Sequence, residues 1–162
     1  MKILILGAGR VGSSLASTLS KQQYEVCVID LSKEKLQGLQ EDFDLATEVG
    51  HGSYPSTLKK AGANEDTILL AVTNSDECNI TSCQIAKSKF NVKKTICRLS
   101  NASYLDSLDA FGKSNIDIAI SPENEVTEHL VDLIKHPGAE QIESFANGSI
   151  KVVSVKAKKD GM

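Results

Sequence analysis

Short apolar runs recur along the chain and are separated by stretches with helical spacing of apolar positions. Each run has four to six residues rich in Ile, Val and Leu, without regular polar alternation. Such runs are typical of strands buried on both faces of a parallel sheet. They span residues 3–6, 26–29, 68–72, 95–99 and 116–120, with a weaker candidate at 44–49.

Between the runs, apolar residues recur three or four positions apart, as on one face of a helix. The first such stretch carries Val11, Leu15 and Leu19, and the last carries Val126 and Leu130. Strand–helix alternation repeated in this way predicts an α/β fold, a doubly wound, Rossmann-like parallel sheet with flanking helices. The apolar stripe of the last helix, which also includes Leu133, could serve either the core or a partner, and we take the core as the default.

The end of the chain has a different pattern. Asn147-Gly148 separates the stretches QIESFA and SIKVVSVKA, and this combination is a strong signal for an antiparallel β-hairpin. We therefore predict a nucleotide-binding domain over residues 1–137 and the start of a second, truncated subdomain over residues 138–162. The sequence stops before such a subdomain is complete, so we expect it to be part of a longer protein.

The composition of the chain excludes several classes of function. The chain has 162 residues, 41% of them apolar and 24% charged, which is ordinary for a globular domain. Its net charge of −3 argues against a nucleic-acid partner. The apolar runs are too short for a membrane span or a signal peptide. We interpret the four cysteines as reduced thiols of a cytosolic protein and expect no metal site.

A glycine motif follows the first predicted strand. Gly7, Gly9 and Gly12 form G-x-G-x-x-G where that strand meets the first helix. The first glycine allows a tight turn, the second lets a diphosphate approach the backbone, and the third lets the helix pack closely on the sheet. The helix N-terminus would then present free amides and a positive dipole to phosphates.

Asp30 ends the second predicted strand, 23 residues after Gly7. A carboxylate at this position can accept hydrogen bonds from both hydroxyls of an adenosine ribose. Its charge repels a 2′-phosphate, so NAD is preferred to NADP. The same residues would also hold ADP, ATP or S-adenosylmethionine. The alternative role for Asp30 is to cap the next helix together with Ser32.

Further candidates stand at other strand ends, because ligands of this fold lie over the carboxyl ends of the strands. Thr73 and Asn74 end the fourth strand and should face the glycine turn, or cap the next helix, or both. Arg98 ends the fifth strand and either reaches a phosphate or far ribose or forms a structural salt bridge. Arg10 either covers the diphosphate or extends into solvent. His51 lies near the expected adenine end and has no obvious partner that would make it a catalytic base.

Several blocks of the sequence together resemble a known family. The blocks are ILGAGRVG, VGHGSYPSTLKKAG, ILLAVTNSDECN, ICRL, IAISPE and LIKHPGA. They are similar to the first regulator-of-K⁺-conductance (RCK, or KTN) domain of the TrkA potassium-uptake regulators. The resemblance covers residues 1 to about 137. Its segment A-V-T-N-x-D-E-x-N at 71–79 is more specific than the glycine motif.

The resemblance implies a regulatory function. Members of this family are cytosolic subunits, peripheral on the inner face of the membrane, that gate a K⁺ channel-like partner of the TrkH or TrkG type. They bind NAD(H), and also ATP or ADP. Homo-oligomers are expected, and by analogy with the family the last helix, 123–135, would carry the self-association. The family's nucleotide contacts fall on Gly7, Ala8, Gly9, Arg10, Val11, Asp30, Thr73, Asn74 and Arg98. We add Gly12 from the motif, and His51, which replaces an aspartate of many relatives and whose role stays open.

Two functions remain to be weighed. The first is a non-enzymatic sensor, in which nucleotide binding selects one arrangement of domains. The second is the nucleotide-binding half of a truncated NAD-dependent dehydrogenase. The nucleotide fold takes about 137 residues, leaving roughly a hairpin for a substrate, and no paired acid and base stand near the strand ends. The sequence therefore favours the sensor and predicts no catalytic residue.

Overall fold

The computed structural model describes residues 1–107, 115–145 and 150–156. The chain divides into two compact units, Met1–Ser121 and Pro122–Met162. The first unit contains strands β1 (Lys2–Leu6), β2 (Glu25–Asp30), β3 (Ala46–Val49), β4 (Thr67–Ala71), β5 (Lys94–Arg98) and β6 (Ile118–Ile120). Its described helices are α1 (Arg10–Lys21), α2 (Lys33–Asp42), α3 (Pro55–Lys60), α4 (Asp76–Phe90) and α5 (Ala102–Asp106).

The strands form one sheet in the order β3-β2-β1-β4-β5-β6, and every neighbouring pair is parallel. This confirms the predicted doubly wound sheet. In register, Leu6 at the end of β1 lies between Ile29 of β2 and Ala71 of β4. The three central strands therefore end level with one another, and the loops that follow them share one edge of the sheet.

Two apolar clusters cover the two faces of this sheet. Leu4 of β1 belongs to a cluster that includes Leu58 of α3, whereas Ile5 belongs to a cluster that includes Ala16 of α1. Neighbouring side chains of a strand point to opposite faces. Because helices cover both faces, both sets of side chains are buried, and this explains why the runs are continuously apolar.

The first helix departs from one expectation. Leu15 and Leu19 pack against the core as predicted, but Val11 is 40% exposed. The buried positions of α1 are Gly12 and Ala16, whose small size brings the helix close to the sheet. Val11 instead borders a cavity at the edge of the sheet.

The second unit contains α6 (Pro122–Lys135) and an antiparallel pair, β7 (Ala139–Phe145) with β8 (Ile150–Val155). The predicted hairpin strands are confirmed, while the Asn147-Gly148 turn lies outside the described residues. No residue of α6 is buried, and Val126 and Leu130 are 58% and 54% exposed, so the default of core packing is not observed and the alternative, a partner for this stripe, stays a prediction.

The division after Ser121 groups α6 with the hairpin. Within this unit, the ammonium of Lys151 on β8 pairs with the carboxylate of Asp132 on α6. The boundary predicted from sequence, after residue 137, instead assigns this helix to the first domain, and it stays a prediction. No helix in the described ranges combines the length and the apolar character needed to cross a bilayer.

Candidate functional site

The glycine loop, residues 7–12, turns sharply at the end of β1. Gly7 has a φ of +104°, which side chains other than glycine rarely adopt. A Cβ on Gly12 would lie 1.8 Å from the carbonyl oxygen of Gly7, so only glycine lets α1 begin here. A Cβ on Gly9 would meet no atom within 4 Å. Backbone conformation therefore requires glycine at 7 and packing requires it at 12, whereas the space beside Gly9 is open.

Asp30 fixes this loop from the end of β2. Its Oδ2 accepts a hydrogen bond from the N–H of Ala8 at 2.6 Å, and its Oδ1 accepts one from the N–H of Ser32 at 2.8 Å. Ser32 itself caps α2, accepting from the N–H of Lys35 at 3.3 Å. A carboxylate has about four acceptor positions, so about two remain for ligand hydroxyls. Asp30 thus holds the glycine loop in place and can still accept hydrogen bonds from a ligand.

The loop after β4, residues 72–75, is held by the side chain of Asn79, which is fully buried. The N–H and Oγ1 of Thr73 donate to Asn79 Oδ1 at 3.0 and 2.7 Å. Asn79 Nδ2 donates to the carbonyl oxygens of Thr73 and Arg98 at 3.2 and 2.9 Å. One amide side chain therefore joins the end of β4 to the end of β5.

Asp76 makes a second connection, three residues earlier in α4. It is 8% exposed, and its two carboxylate oxygens accept from the N–H of Ser100 at 2.9 and 3.0 Å. One of them also accepts from the N–H of Asn101 at 2.9 Å. Sequence reasoning gave Asp76 and Asn79 no role. Two signals were available: both residues belong to the specific segment at 71–79, and their spacing places both polar side chains on one face of the helix.

Two adjoining cavities lie at this edge of the sheet. The first, about 450 Å³, extends from the end of β2 to the loop after β3 and to α4. The second, about 390 Å³, extends from the glycine loop to the end of β5. Their shared walls are Gly7, Asp30, Lys35, Thr73 and Asn74. Each cavity falls in the size range of small-molecule sites. We refer to the two together as the cleft.

The structure brings most of the predicted site residues to the cleft. These are Gly7, Gly9, Arg10, Val11, Asp30, His51, Thr73, Asn74 and Arg98. Ala8 and Gly12 do not line it. Ala8 is buried and donates its N–H to Asp30, and Gly12 packs against the loop carbonyl. Both residues shape the cleft wall from behind, and the binding role of the whole set stays a prediction.

His51 borders the first cavity with a fixed ring. Its Nδ1 lies 2.7 Å from the hydroxyl oxygen of Ser53, and its ring stacks on Tyr54 with the centroids 5.0 Å apart. These contacts present a flat aromatic surface beside the cavity. This geometry suits a contact residue for a planar group.

Sequence reasoning missed Lys35, Glu77 and Cys78, which also line the cleft. Lys35 lies in the first turn of α2, where the helix dipole disfavours a cation, and this was the signal that could have marked it. Glu77 receives hydrogen bonds from the hydroxyls of Tyr104 and Ser75, each at 2.9 Å. Its own backbone N–H, followed by these two hydroxyls, lowers the pKa of Glu77 below its usual value.

All four cysteines are free thiols. Burial raises the pKa of Cys27 to about 11. A hydrogen bond with Cys97, together with burial, raises the pKa of Cys83 well above its usual value. Across the described ranges, no group of three or more His, Cys, Asp or Glu side chains is placed to hold a metal ion.

The parallel sheet, the glycine turn and the acid at the end of β2 define the class of Rossmann-like domains. Within that class, the TrkA-N domain family matches residues 3–122. The chain therefore belongs to the TrkA-N family, and the resemblance stated from the sequence is confirmed.

Relatives and solved structures agree with this assignment. The Trk system potassium uptake protein TrkA of Halomonas elongata is 42% identical over 159 residues, which cover 97% of this chain and 35% of that protein. The chain thus spans about a third of that relative's length. The TrkA-N domain of the Escherichia coli inner membrane protein ybaL has the same fold, with a TM-score of 0.71, 19% identity and coverage of 82% of this chain and 96% of that one. The GsuK channel bound to NAD matches with a TM-score of 0.63 and 15% identity, over 80% of this chain and 23% of that one.

Proposed function

We propose that this chain is the nucleotide-binding regulatory part of a potassium-uptake system. It binds NAD(H), or ATP or ADP in the same site, and it is not an enzyme. The observation that carries the proposal is the convergence of the glycine loop, Asp30 and the end of β5 on one cleft. Family membership supports the link to potassium uptake, since a relative at 42% identity is named for that activity.

In this proposal the ligand extends through both cavities. The adenosine ribose donates its hydroxyls to the free acceptor positions of Asp30, and the adenine lies toward His51. The diphosphate passes over Gly9 and the N-terminus of α1, where the open space leaves room for it. Arg10 and Arg98, which line the second cavity, provide positive charge for the phosphates.

The regulatory step needs no catalytic residue. A nucleotide that binds one arrangement of domains more tightly than another shifts the balance between them by the difference in binding free energy. We propose that the domains form a homo-oligomer on the cytoplasmic face of a membrane K⁺ channel-like protein of the TrkH or TrkG type. The solved GsuK channel with NAD supports a link between this fold, a channel and a dinucleotide.

Isothermal titration calorimetry with NADH, NAD⁺, NADPH, ATP and ADP tests the binding step. The variant Asp30→Asn replaces a charged acceptor and should weaken binding by about 1–3 kcal/mol. Asp66→Asn is the matched control, because Asp66 is an exposed acid of the loop before β4.

The proposal fails if the wild-type chain binds none of the five nucleotides. The assigned role of Asp30 fails if NADPH binds more tightly than NADH. Hydride exchange between bound NAD⁺ and a small alcohol or hydroxy acid would instead support a dehydrogenase. The regulatory step is tested by potassium uptake in cells that lack their own regulator and are supplied with the complete protein, either wild type or carrying Asp30→Asn. Equal uptake would contradict it.

A further inference from the structure

We propose that Asn79 is a positioning residue that sets the distance between Thr73 and Arg98, and thereby selects for ligands long enough to span both cavities. The inference rests on the proposed function and extends it. Asn79 lines neither cavity and acts only through the two residues that it holds.

The contacts of Asn79 make this role specific. Both ends of its amide are used: Oδ1 accepts from the N–H and the hydroxyl of Thr73, and Nδ2 donates to the carbonyls of Thr73 and Arg98. Asn79 has no exposed surface, so water cannot replace a lost partner without a rearrangement. Any change of its length or of its donor end therefore alters the position of Arg98 relative to Thr73.

The neighbouring side chain of Asp76 strengthens this argument. It holds the backbone N–H groups of Ser100 and Asn101, just after β5, while Asn79 holds the carbonyl of Arg98. One face of α4 thus fixes the backbone of this segment from both sides of Leu99. The side chain of Arg98, which lines the second cavity, extends from this fixed backbone.

Short and long ligands would contact different residues, because the two cavities have different walls. Thr73 and Asp30 border both, whereas Arg98 borders only the second. AMP, with one phosphate, can be held by Asp30 and Gly7, which border both cavities, and by the other walls of the first cavity. A dinucleotide such as NADH must also use the second cavity, where Arg98 lies. A shift of Arg98 should therefore weaken NADH much more than AMP.

The variant Asn79→Asp tests this directly. The new carboxylate can still accept from Thr73, but it has no N–H to donate to the carbonyls of Thr73 and Arg98, and its second oxygen repels them. We expect the dissociation constant for NADH, measured by calorimetry, to rise about tenfold or more, and that for AMP to change by less than about threefold.

Thr95→Val is the matched control. Thr95 is also fully buried on β5, and its hydroxyl contacts the carbonyl of Asn115 and the carboxylate of Asp117. It stands near the start of the strand, away from the cleft. Thr95→Val should lower the melting temperature as Asn79→Asp does, yet leave the ratio of the NADH and AMP affinities unchanged.

A double-variant cycle with Arg98→Ala provides the second readout. If Asn79 acts through Arg98, then Asn79→Asp should weaken NADH by less than about twofold further once Arg98 is already alanine. Should Asn79→Asp fail to fold, Asn79→Ser replaces it in both experiments.

The outcomes separate the two proposals. Equal losses for NADH and AMP, no loss for either, or fully additive losses in the cycle would overturn the positioning role while leaving the proposed function standing. If the wild-type chain binds neither ligand, both fail.

Discussion

The glycine loop and the loop after β4 meet at the base of the cleft, where a Cβ on Gly7 would lie 3.1 Å from the Cα of Thr73. They keep their shapes by different means. Apart from the hydrogen bond of Ala8 to Asp30, the glycine loop depends on missing side chains, since Gly7 adopts a positive φ and Gly12 leaves room for a carbonyl. The loop after β4 depends on side chains that are present, because Asn79 and Asp76 supply its hydrogen bonds and those of the next loop.

The two walls of the cleft are therefore sensitive to opposite kinds of substitution. An added methyl group damages the glycine loop at the two positions where space is lacking and leaves the third untouched. The opposite wall tolerates no removal of its buried polar groups, because the backbone N–H groups that they satisfy would lose their partners. Substitutions can therefore break one wall by addition and the other by deletion.

The largest effect is expected for Gly12→Ala. The new Cβ would overlap the carbonyl oxygen of Gly7, a backbone atom that cannot move without disturbing the turn. We expect the free energy of unfolding to fall by about 3 kcal/mol or more. Urea unfolding followed by far-ultraviolet circular dichroism measures it, since the chain has no tryptophan for fluorescence.

Gly9→Ala is the matched control for that variant. Its Cβ meets nothing, so stability should stay within about 1 kcal/mol of wild type, allowing for the N-cap position. NADH binding should nevertheless weaken, because the methyl group occupies the path proposed for the diphosphate. Equal unfolding free energies for Gly12→Ala and Gly9→Ala would contradict the packing argument.

A smaller effect is expected when Asp76 is replaced by alanine. The N–H groups of Ser100 and Asn101 would lose their acceptors. We expect a loss of about 2 kcal/mol in the free energy of unfolding. Asp66→Ala, at an exposed acid, should change it by less than about 0.5 kcal/mol. A loss of similar size in both variants would mean that net charge, rather than the buried contacts, sets the stability.

The smallest effect concerns Tyr104→Phe, which removes one hydrogen bond to the exposed carboxylate of Glu77. The pKa of Glu77 is lowered in the folded protein, so its stabilising contribution is present above the ordinary glutamate pKa and is lost as pH falls through the lowered value. In the variant the pKa of Glu77 should rise toward its usual range. Carbon-detected NMR titration of the Glu77 carboxyl measures this, and an unchanged pKa would show that Tyr104 does not contribute.

The sequence predicted structure correctly where a residue pattern is compatible with only one local arrangement. Continuous apolar runs predicted the strands because burial on both faces leaves no position for polar side chains. The glycine spacing and Asp30 predicted which loops share the cleft. Core packing was expected for Val11 and was the default for the stripe of α6, yet these side chains are exposed, because helical spacing shows that a face is apolar but not what it packs against.

The sequence alone determined the parallel sheet, the glycine turn and the acid beside it, since these follow from local backbone sterics and from the regular alternation of strand and helix. Only the tertiary structure decided that Lys35, Glu77 and Cys78 border the cleft and that Asn79 joins two strand ends. Asn79 and Arg98 are 19 positions apart, and their hydrogen bond exists only after β4 and β5 have paired. A polar residue within a helix does not reveal which distant carbonyl it will reach, because that distance is set by the packing of the helix on the sheet.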